Sequence, residues 1–325
     1  MRIICTTVFI LITINLNGQG LIFDPEEYEN TPGIERTRAD QFTEQLSLKT
    51  YTPYTMRQTG SSCVAYSLAS ARTMIYAMHN GLIDKEKIST NYISPHWIYY
   101  HNKMGYDDSC MGGLIPDRVL KFAQRNGLAR MMHVEHPDYY PFTNDSLCNE
   151  YPPELEFDQK DAMDWGIDEY YRLSTTEEIK IALSRGDPVM LGMRITSSFE
   201  NSYDKELWIP DPVNDKANSM GHAMLIIGYD ENYEGGAFEI LNSWGSEWGK
   251  DGYIWILESD LMDYKMGLWA IHCYQQFGLP IKKEKQIVVL DSISQIDQIK
   301  NPEGSSSLNE LKRLGMLMDQ VKKKN

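Results

Sequence analysis

Apolar residues in the first half of the chain recur at steps of three and four, the spacing of one helix face. The clearest case predicts a helix over residues 63–80, which Asn80 and Gly81 end in the manner of a C-cap. The same pattern predicts helices over residues 94–101, 116–126 and 176–184. Ser174 or Thr175 is the expected N-cap of the last of these.

From Pro188 onward the pattern changes to short apolar runs bounded by Gly, Asp and Asn, which is typical of strands. Strands are predicted over residues 189–195, 223–228, 237–241 and 252–257. A helix-rich first half followed by a strand-rich second half predicts an α+β fold of two subdomains, with a cleft between them.

An apolar run over residues 3–16 precedes the small residues of Gly18-Gln19-Gly20. The run is shorter than the roughly 20 residues of a membrane-spanning helix, so it favours a secretory signal over residues 1–20. A buried N-terminal strand is the alternative. We therefore expect a secreted, periplasmic or extracellular protein with no membrane span after signal removal.

Composition narrows the class of partner. The 325 residues include 31 Lys or Arg and 46 Asp or Glu, a net charge of −15, which argues against sequence-independent binding of nucleic acid. The tail differs, because residues 281–325 carry nine basic and six acidic residues, or +3. Within it, residues 301–307 read as a linker and an amphipathic helix follows, either solvated or used for self-docking, inhibition or oligomerisation.

Three residues carry candidate chemistry. Cys63 opens the predicted helix 63–80, where free backbone N–H groups and the helix dipole favour a thiolate. His222 and Asn242 lie on two runs joined by a turn whose centre falls at residue 232, so a hairpin makes them cross-strand neighbours. The Asn side chain can then accept the imidazole N–H and fix its tautomer, which completes a nucleophile, a base and an orienter.

The sequence resembles the papain family of cysteine peptidases. Residues 242–253, N-S-W-G-S-E-W-G-K-D-G-Y, are similar to the family run N-S-W-G-x-x-W-G-x-x-G-Y around the catalytic Asn. Residues 110–113, C-M-G-G, are similar to the C-x-G-G segment of the substrate cleft. Residues 139–142, Y-Y-P-F, followed by Cys148, are similar to another family segment.

The resemblance implies a two-subdomain papain-like fold, with a helical left subdomain and a β-barrel-like right one, and peptide hydrolysis through a thioester acyl-enzyme. Cys63 would be a standing thiolate, His222 its partner and Asn242 the orienter. Gln58 would supply the oxyanion hole together with the Cys63 N–H, although it lies five residues before Cys63 where the family has six, the position of Arg57.

Further roles follow only from the resemblance. Trp244 would shield the His–Asn hydrogen bond and line the primed side, and an apolar P2 side chain is expected. The substrate-binding residues implied are Gly112, Gly113, Leu114, Ala223, Trp244 and Ile271, of which Leu114, Ala223 and Ile271 would wall the S2 pocket. The family's usual partners of Cys110 and Cys148 are missing, which leaves open a Cys110–Cys148 disulfide with Cys273 free.

The expected domains are a signal over 1–20, a short lead-in over 21–45, a catalytic domain over 46–273 and a C-terminal extension over 274–325, with no long prodomain. We expect neither a metal nor a cofactor, since the histidines lack ligand spacing. The expected partner is a peptide or protein substrate of an endopeptidase. A thiol acyltransferase, transpeptidase or amidase with the same triad, or an inactive binding module, are the alternatives.

Overall fold

The computed structural model describes residues 20–37, 40–131, 159–215 and 217–274. The chain divides into a unit that ends at Tyr274 and a second unit, Gln275–Asn325, which lies outside the described residues. Residues 1–19 of the predicted signal, Cys148 and the predicted terminal helix also lie outside them. None of the described helices is long and apolar enough to cross a membrane.

Helices dominate the first half of the chain. They are α1 (Pro25–Glu29), α2 (Cys63–His79), α3 (Lys85–Ser89), α4 (Pro95–Asn102), α5 (Pro116–Asn126) and α6 (Gln159–Asp164), with a 3₁₀ turn over Lys49–Tyr51. Three more lie among the strands: α7 (Thr176–Ser184), α8 (Ser197–Glu200) and α9 (Glu258–Tyr264). Thr175 is the N-cap of α7 and forms a capping box with Glu178, which decides between the two predicted caps.

The strands form one mixed sheet. They are β1 (Gln45–Ser47), β2 (Glu169–Arg172), β3 (Val189–Thr196), β4 (Leu207–Trp208), β5 (Ala217–Asp230), β6 (Ala237–Leu241), β7 (Tyr253–Leu257) and β8 (Lys265–His272). Their order is β2-β8-β3-β5-β6-β7-β4, and β1 pairs with β5. Every pair is antiparallel except β4 with β7. The predicted α+β fold is confirmed.

Helix α2 lies between the other helices and the sheet. It packs against α4 and α5 on one side and against β5 on the other, so nearly all of its side chains are buried. An apolar stripe would cover one side only, whereas this helix is mostly apolar or small on every side, Arg72 being its buried charged residue, which is typical of a buried helix. Its first residue, Cys63, therefore lies where the helices meet the sheet.

The lead-in, residues 21–45, is bound to the strand-rich half of the fold through Tyr28. The Tyr28 hydroxyl donates to the Leu173 carbonyl at 2.9 Å and accepts the Leu268 N–H at 3.1 Å. Its ring meets the Trp269 ring edge-on, with centroids 5.1 Å apart. One tyrosine thus connects the lead-in to β8 and to the segment after β2.

A second contact joins the lead-in to the helical half. The Thr31 hydroxyl donates to the Asp117 carboxylate at 2.7 Å, and the same carboxylate oxygen accepts the Trp269 indole N–H at 2.9 Å. Asp117 is fully buried in the first turn of α5. Burial raises the pKa of Asp117, and the two hydrogen bonds oppose that rise.

We expect Tyr28→Phe to destabilise the fold by about 1–3 kcal/mol, since it leaves a buried carbonyl and a buried N–H without their shared partner. Urea unfolding followed by circular dichroism measures the loss. Tyr106→Phe, at a side chain that is 81% exposed, is the control and should leave the free energy of unfolding unchanged. Equal midpoints for the two variants would contradict the role given to Tyr28.

Candidate active site

His222 and Asn242 meet in the interior. His222 Nε2 lies 2.8 Å from Asn242 Oδ1, and both side chains are buried. The same Asn oxygen accepts the Ser243 backbone N–H at 2.7 Å, so it faces the ring as an acceptor. Nε2 must therefore carry the imidazole proton, which leaves the lone pair on Nδ1.

The contact arises from a different register than the one predicted. On the β5–β6 ladder Leu225 lies opposite Leu241, where β6 ends, and the pairing shifts by one residue farther along. His222 instead lies opposite Met193 of β3. His222 and Asn242 are thus not cross-strand partners, and the predicted register is wrong. Asn242 is the residue after β6, and its side chain reaches His222, which lies on β5 beyond the residue opposite the end of β6.

Cys63 lies next to the strand that carries His222. Its sulfur approaches the backbone N–H groups of Gly20, Val64 and Ala223, the last of which follows His222. The side chain has no exposed surface. Burial raises the pKa of the Cys63 thiol to about 11, and the neighbouring N–H groups offset only part of that rise. In this arrangement Cys63 is a neutral thiol, so the predicted standing thiolate does not describe it.

The imidazole is neutral as well. Burial lowers the pKa of His222 to about 4, against the hydrogen bond to Asn242, which raises it. Nδ1 of His222 is buried and makes no hydrogen bond to any described residue. The Trp244 ring stacks on the imidazole, with centroids 4.5 Å apart and planes at 28°. Trp244 therefore covers the His222–Asn242 contact.

Gln58 is fixed from the strand end that carries Asn242. Its Oε1 accepts the Ser243 hydroxyl at 2.7 Å, its Nε2 donates to the Gly60 carbonyl at 2.9 Å, and its backbone N–H donates to the Ser243 carbonyl at 2.7 Å. Arg57 turns away and pairs with Glu247 at 2.8 Å, where both side chains are exposed. Gln58, and not Arg57, therefore directs its side chain into the fold.

Residues 20–22, named the strap below, fill the groove beside Cys63. Leu21 donates its N–H to the Gly221 carbonyl at 3.0 Å on the sheet side. On the helical side, Leu114 donates to the Gly20 carbonyl at 2.7 Å and accepts the Ile22 N–H at 2.9 Å. The strap thus bridges the two walls of the groove. No sequence pattern predicted it, since its contacts are made by backbone groups and Gly20 suggested only a signal cleavage site.

The Leu21 side chain fills a pocket on the sheet and is 2% exposed. A Cβ added at Gly192 would lie 2.8 Å from its Cδ1, and one added at Gly221 would lie 2.9 Å from its Cδ2 and 2.6 Å from Met266 Sδ. These two glycines and Met266 form the pocket. Ile271, which the resemblance placed in the S2 wall, pairs with β2 farther along β8 and is fully buried, so its place in that wall stays a prediction.

The helical wall is residues 112–114, named the ledge below. Gly112 and Gly113 are packed too closely for a side chain: an added Cβ would lie 2.9 Å from Asp107 Cγ at Gly112 and 2.5 Å from the Gly20 carbonyl oxygen at Gly113. Gly113 also has φ 77°, which favours glycine. The backbone groups that bind the strap belong to Leu114.

The thiols divide as follows. Cys110 is disulfide-bonded, and Cys63 and Cys273 are free. Cys148 lies outside the described residues, so the Cys110–Cys148 bridge stays a prediction. Among the described residues no group of His, Cys, Asp and Glu could hold a metal ion.

Comparison with known proteins identifies relatives of this chain. The oryzain gamma chain of Oryza sativa subsp. japonica is 25% identical over 145 residues, which cover 44% of this chain and 36% of that protein. A viral cathepsin of the Cydia pomonella granulosis virus is 24% identical over 202 residues, 62% of this chain and 53% of the relative. This chain thus spans about a third to a half of these relatives.

Among solved structures, xylellain, a cysteine protease from Xylella fastidiosa, superposes with a TM-score of 0.63 at 22% identity, over 79% of this chain and 97% of xylellain. That likeness concerns the fold. The family model of the papain family cysteine proteases matches residues 43–268, well over half of the sequence. The chain therefore belongs to the papain family of cysteine proteases.

Proposed function

We propose that this protein is a secreted cysteine endopeptidase that hydrolyses peptide bonds through a thioester acyl-enzyme. The observation that carries the proposal is the 2.8 Å contact between His222 Nε2 and Asn242 Oδ1, which leaves the lone pair on Nδ1 free, next to a residue, Ala223, whose N–H meets the Cys63 sulfur. A nucleophile, a base and an orienter of these types are what acyl transfer requires.

The reaction follows from these groups. His222 Nδ1 takes the thiol proton, and the Cys63 sulfur bonds to the substrate carbonyl carbon. The Gln58 amide and the Cys63 N–H donate to the oxyanion. The C–N bond then breaks as His222 gives its proton to the leaving amine, which leaves a thioester. Water, deprotonated by His222, releases the acyl group as a carboxylic acid and restores the thiol.

The strap keeps this machinery at rest. It covers Cys63 and occupies the hydrogen-bonding groups of Leu114 and Gly221 that an extended peptide would need. It also excludes water, and this desolvation holds Cys63 and His222 neutral. A substrate must displace the strap, and the water admitted then lowers the cost of forming the thiolate–imidazolium pair.

The Leu21 pocket supports the proposed apolar P2 preference. Leu114, which the resemblance assigns to S2, holds the strap on one side, and the pocket of Gly192, Gly221 and Met266 receives the Leu21 side chain. Polar partners for a substrate side chain are absent from these contacts. A branched aliphatic side chain at P2 would bury the same apolar surface that Leu21 buries now.

Secretion is proposed from the sequence: the apolar run over residues 3–16 and the small residues Gly18 and Gly20 fit a signal. Cleavage before Gly20 would leave the whole strap in place, whereas cleavage after it would remove a residue whose backbone meets the Cys63 sulfur. N-terminal sequencing of the exported protein determines which form is made.

We expect Gly20→Ala to open the groove. An added Cβ would lie 1.8 Å from the Ser61 carbonyl oxygen, a backbone atom that cannot give way, so the strap must leave. Cys63 alkylation by iodoacetamide at pH 7 should rise by at least about tenfold, the change for about 1.4 kcal/mol. Its pH midpoint should fall, since exposure removes the burial that raises the thiol pKa to about 11.

Gly33→Ala is the matched control on the same lead-in, because its nearest atom would be 4.0 Å away. It should label like the unaltered chain. N-terminal sequencing of both variants verifies that position 20 is retained. Equal labelling of the two variants would overturn the inference that the strap covers the thiol.

The function itself is tested with the Gly20→Ala chain and an unstructured peptide, whose products are weighed with and without added glycinamide. We expect fragments that end in a free carboxylate in both cases. Cys63→Ser should abolish cleavage and Cys273→Ser, at the other free thiol, should not. Fragments that end in glycinamide as the main product would indicate an acyltransferase. No product together with an unreactive Cys63 would indicate an inactive binding module.

Pocket depth should set the P2 preference. Gly192→Ala places a methyl 2.8 Å from the present position of Leu21 Cδ1, so kcat/KM for a P2 Leu substrate should fall by about tenfold or more relative to P2 Ala. Stopped assays with two peptides that differ only at P2 give this ratio. Gly105→Ala, with no atom within 4 Å of the added Cβ, should leave the ratio unchanged. A ratio that is the same in both variants would move the P2 pocket elsewhere.

A further inference from the structure

The ledge binds the strap through the backbone pair of one residue, Leu114. Leu114 N–H donates to the Gly20 carbonyl and the Leu114 carbonyl accepts the Ile22 N–H, at 2.7 and 2.9 Å. Leu21 pairs with Leu114 as in a parallel ladder. The strap, an extended segment, therefore uses Leu114 as its hydrogen-bonding partner on the helical side.

The preceding N–H is engaged on the other side. Gly113 donates its N–H to the Tyr99 hydroxyl at 3.3 Å, away from the strap. Tyr99, on α4, is fully buried. The Gly113 N–H is thus bound inside the helical half while the strap fills the groove. The left-handed backbone at Gly113, with φ 77°, accompanies this turn inward.

Asp107 fixes the tyrosine. Its Oδ2 accepts the Tyr99 hydroxyl at 2.6 Å, and its Oδ1 accepts the Met111 N–H at 3.1 Å. The carboxylate is 4% exposed. Burial and Asp107 raise the pKa of Tyr99, so the hydroxyl keeps the proton that it donates. The pair thus ties α4 to both ends of the segment 111–113.

We propose that Tyr99 and Asp107 are positioning residues for substrate: by binding Gly113 and Met111 they hold the ledge so that Leu114 pairs with an extended peptide. This rests on the proposed peptidase function. The occupant is the stretch of an unfolded polypeptide on the acyl side of the scissile bond, long enough to reach Leu114. Neither residue touches the reacting atoms, so their effect falls on long substrates.

The test compares two esters that share leaving group and acyl residue: acetyl-Ile-Leu-Gly p-nitrophenyl ester, which reaches the ledge, and formyl-Gly p-nitrophenyl ester, which ends before it. For Tyr99→Phe we expect the ratio of kcat/KM, long to short, to fall about tenfold. The strap must leave for either ester, so its equilibrium cancels from the ratio. The rate for the short ester and the labelling of Cys63 should fall by less than the ratio does.

Tyr92→Phe is the matched control: it removes another buried hydroxyl, one that pairs with Ser70 at 2.9 Å, in the same half of the fold. It should leave the ratio unchanged. Asp107→Asn, which keeps the size of the side chain, is the second variant should Tyr99→Phe fail to fold, and should also lower the ratio. Circular dichroism verifies folding of each.

The outcomes separate the two proposals. If the unaltered and Gly20→Ala chains hydrolyse neither ester, the peptidase function fails. If they hydrolyse both esters while Tyr99→Phe and Asp107→Asn keep the normal ratio, or Tyr92→Phe lowers it equally, the positioning role is overturned and the function stands.

Discussion

The packing of helix α2 against strand β5 is the constraint from which the site follows. The helix is buried between the other helices and the sheet, so its first residue must lie at their boundary. Cys63 is that residue, and its sulfur meets the N–H of Ala223, the neighbour of His222. Two residues far apart in the chain are thereby brought together by core packing. The loops that surround them need only supply Gln58, Asn242 and Trp244 from the sides.

Desolvation decides the charge state of the closed site. A helix N-terminus stabilises an anion by about 0.3–1 kcal/mol, or up to about 2 in partly buried settings. Full burial shifts a pKa by as much as 3–5 units, and each unit corresponds to about 1.4 kcal/mol. For Cys63 the second effect wins, since the strap removes water from the thiol. In an open groove, water reaches the thiol, and the balance between the helix N-terminus and desolvation is a different one.

Periodicity and motifs predicted much of the fold from the sequence. The bounds of α5, α7 and β6 agree with the predicted ones, because caps and turn residues mark their ends. Strand β8 was not predicted, and it follows directly on α9 without an intervening turn residue. The motifs identified His222 and Asn242 as partners, but the register between them depends on an irregularity of the β5–β6 ladder that no local pattern encodes.

The strap and the pH behaviour of the pair lay beyond sequence reasoning for a physical reason. The strap binds through the N–H and C=O groups of Gly20, Leu21 and Ile22, and every residue has such groups. The sequence signal was a glycine where a side chain cannot fit, and one sequence cannot tell that glycine from one in a cleavage site. Burial of Cys63 depends on the packing of the strap, so the sequence did not reveal that the pKa of Cys63 is raised.

The strap and a substrate are bound by the same groups, which limits how the groove can be tuned. A ledge held more firmly by Tyr99 and Asp107 would pair better with a peptide and equally with the strap, because Leu114 serves both. Stronger substrate binding at the ledge therefore also strengthens closure. Gly20 is the exception: its close approach to Ser61 depends on a missing side chain, a condition that acts on the strap. The balance between closed and open forms can thus change at position 20 while the ledge is left intact.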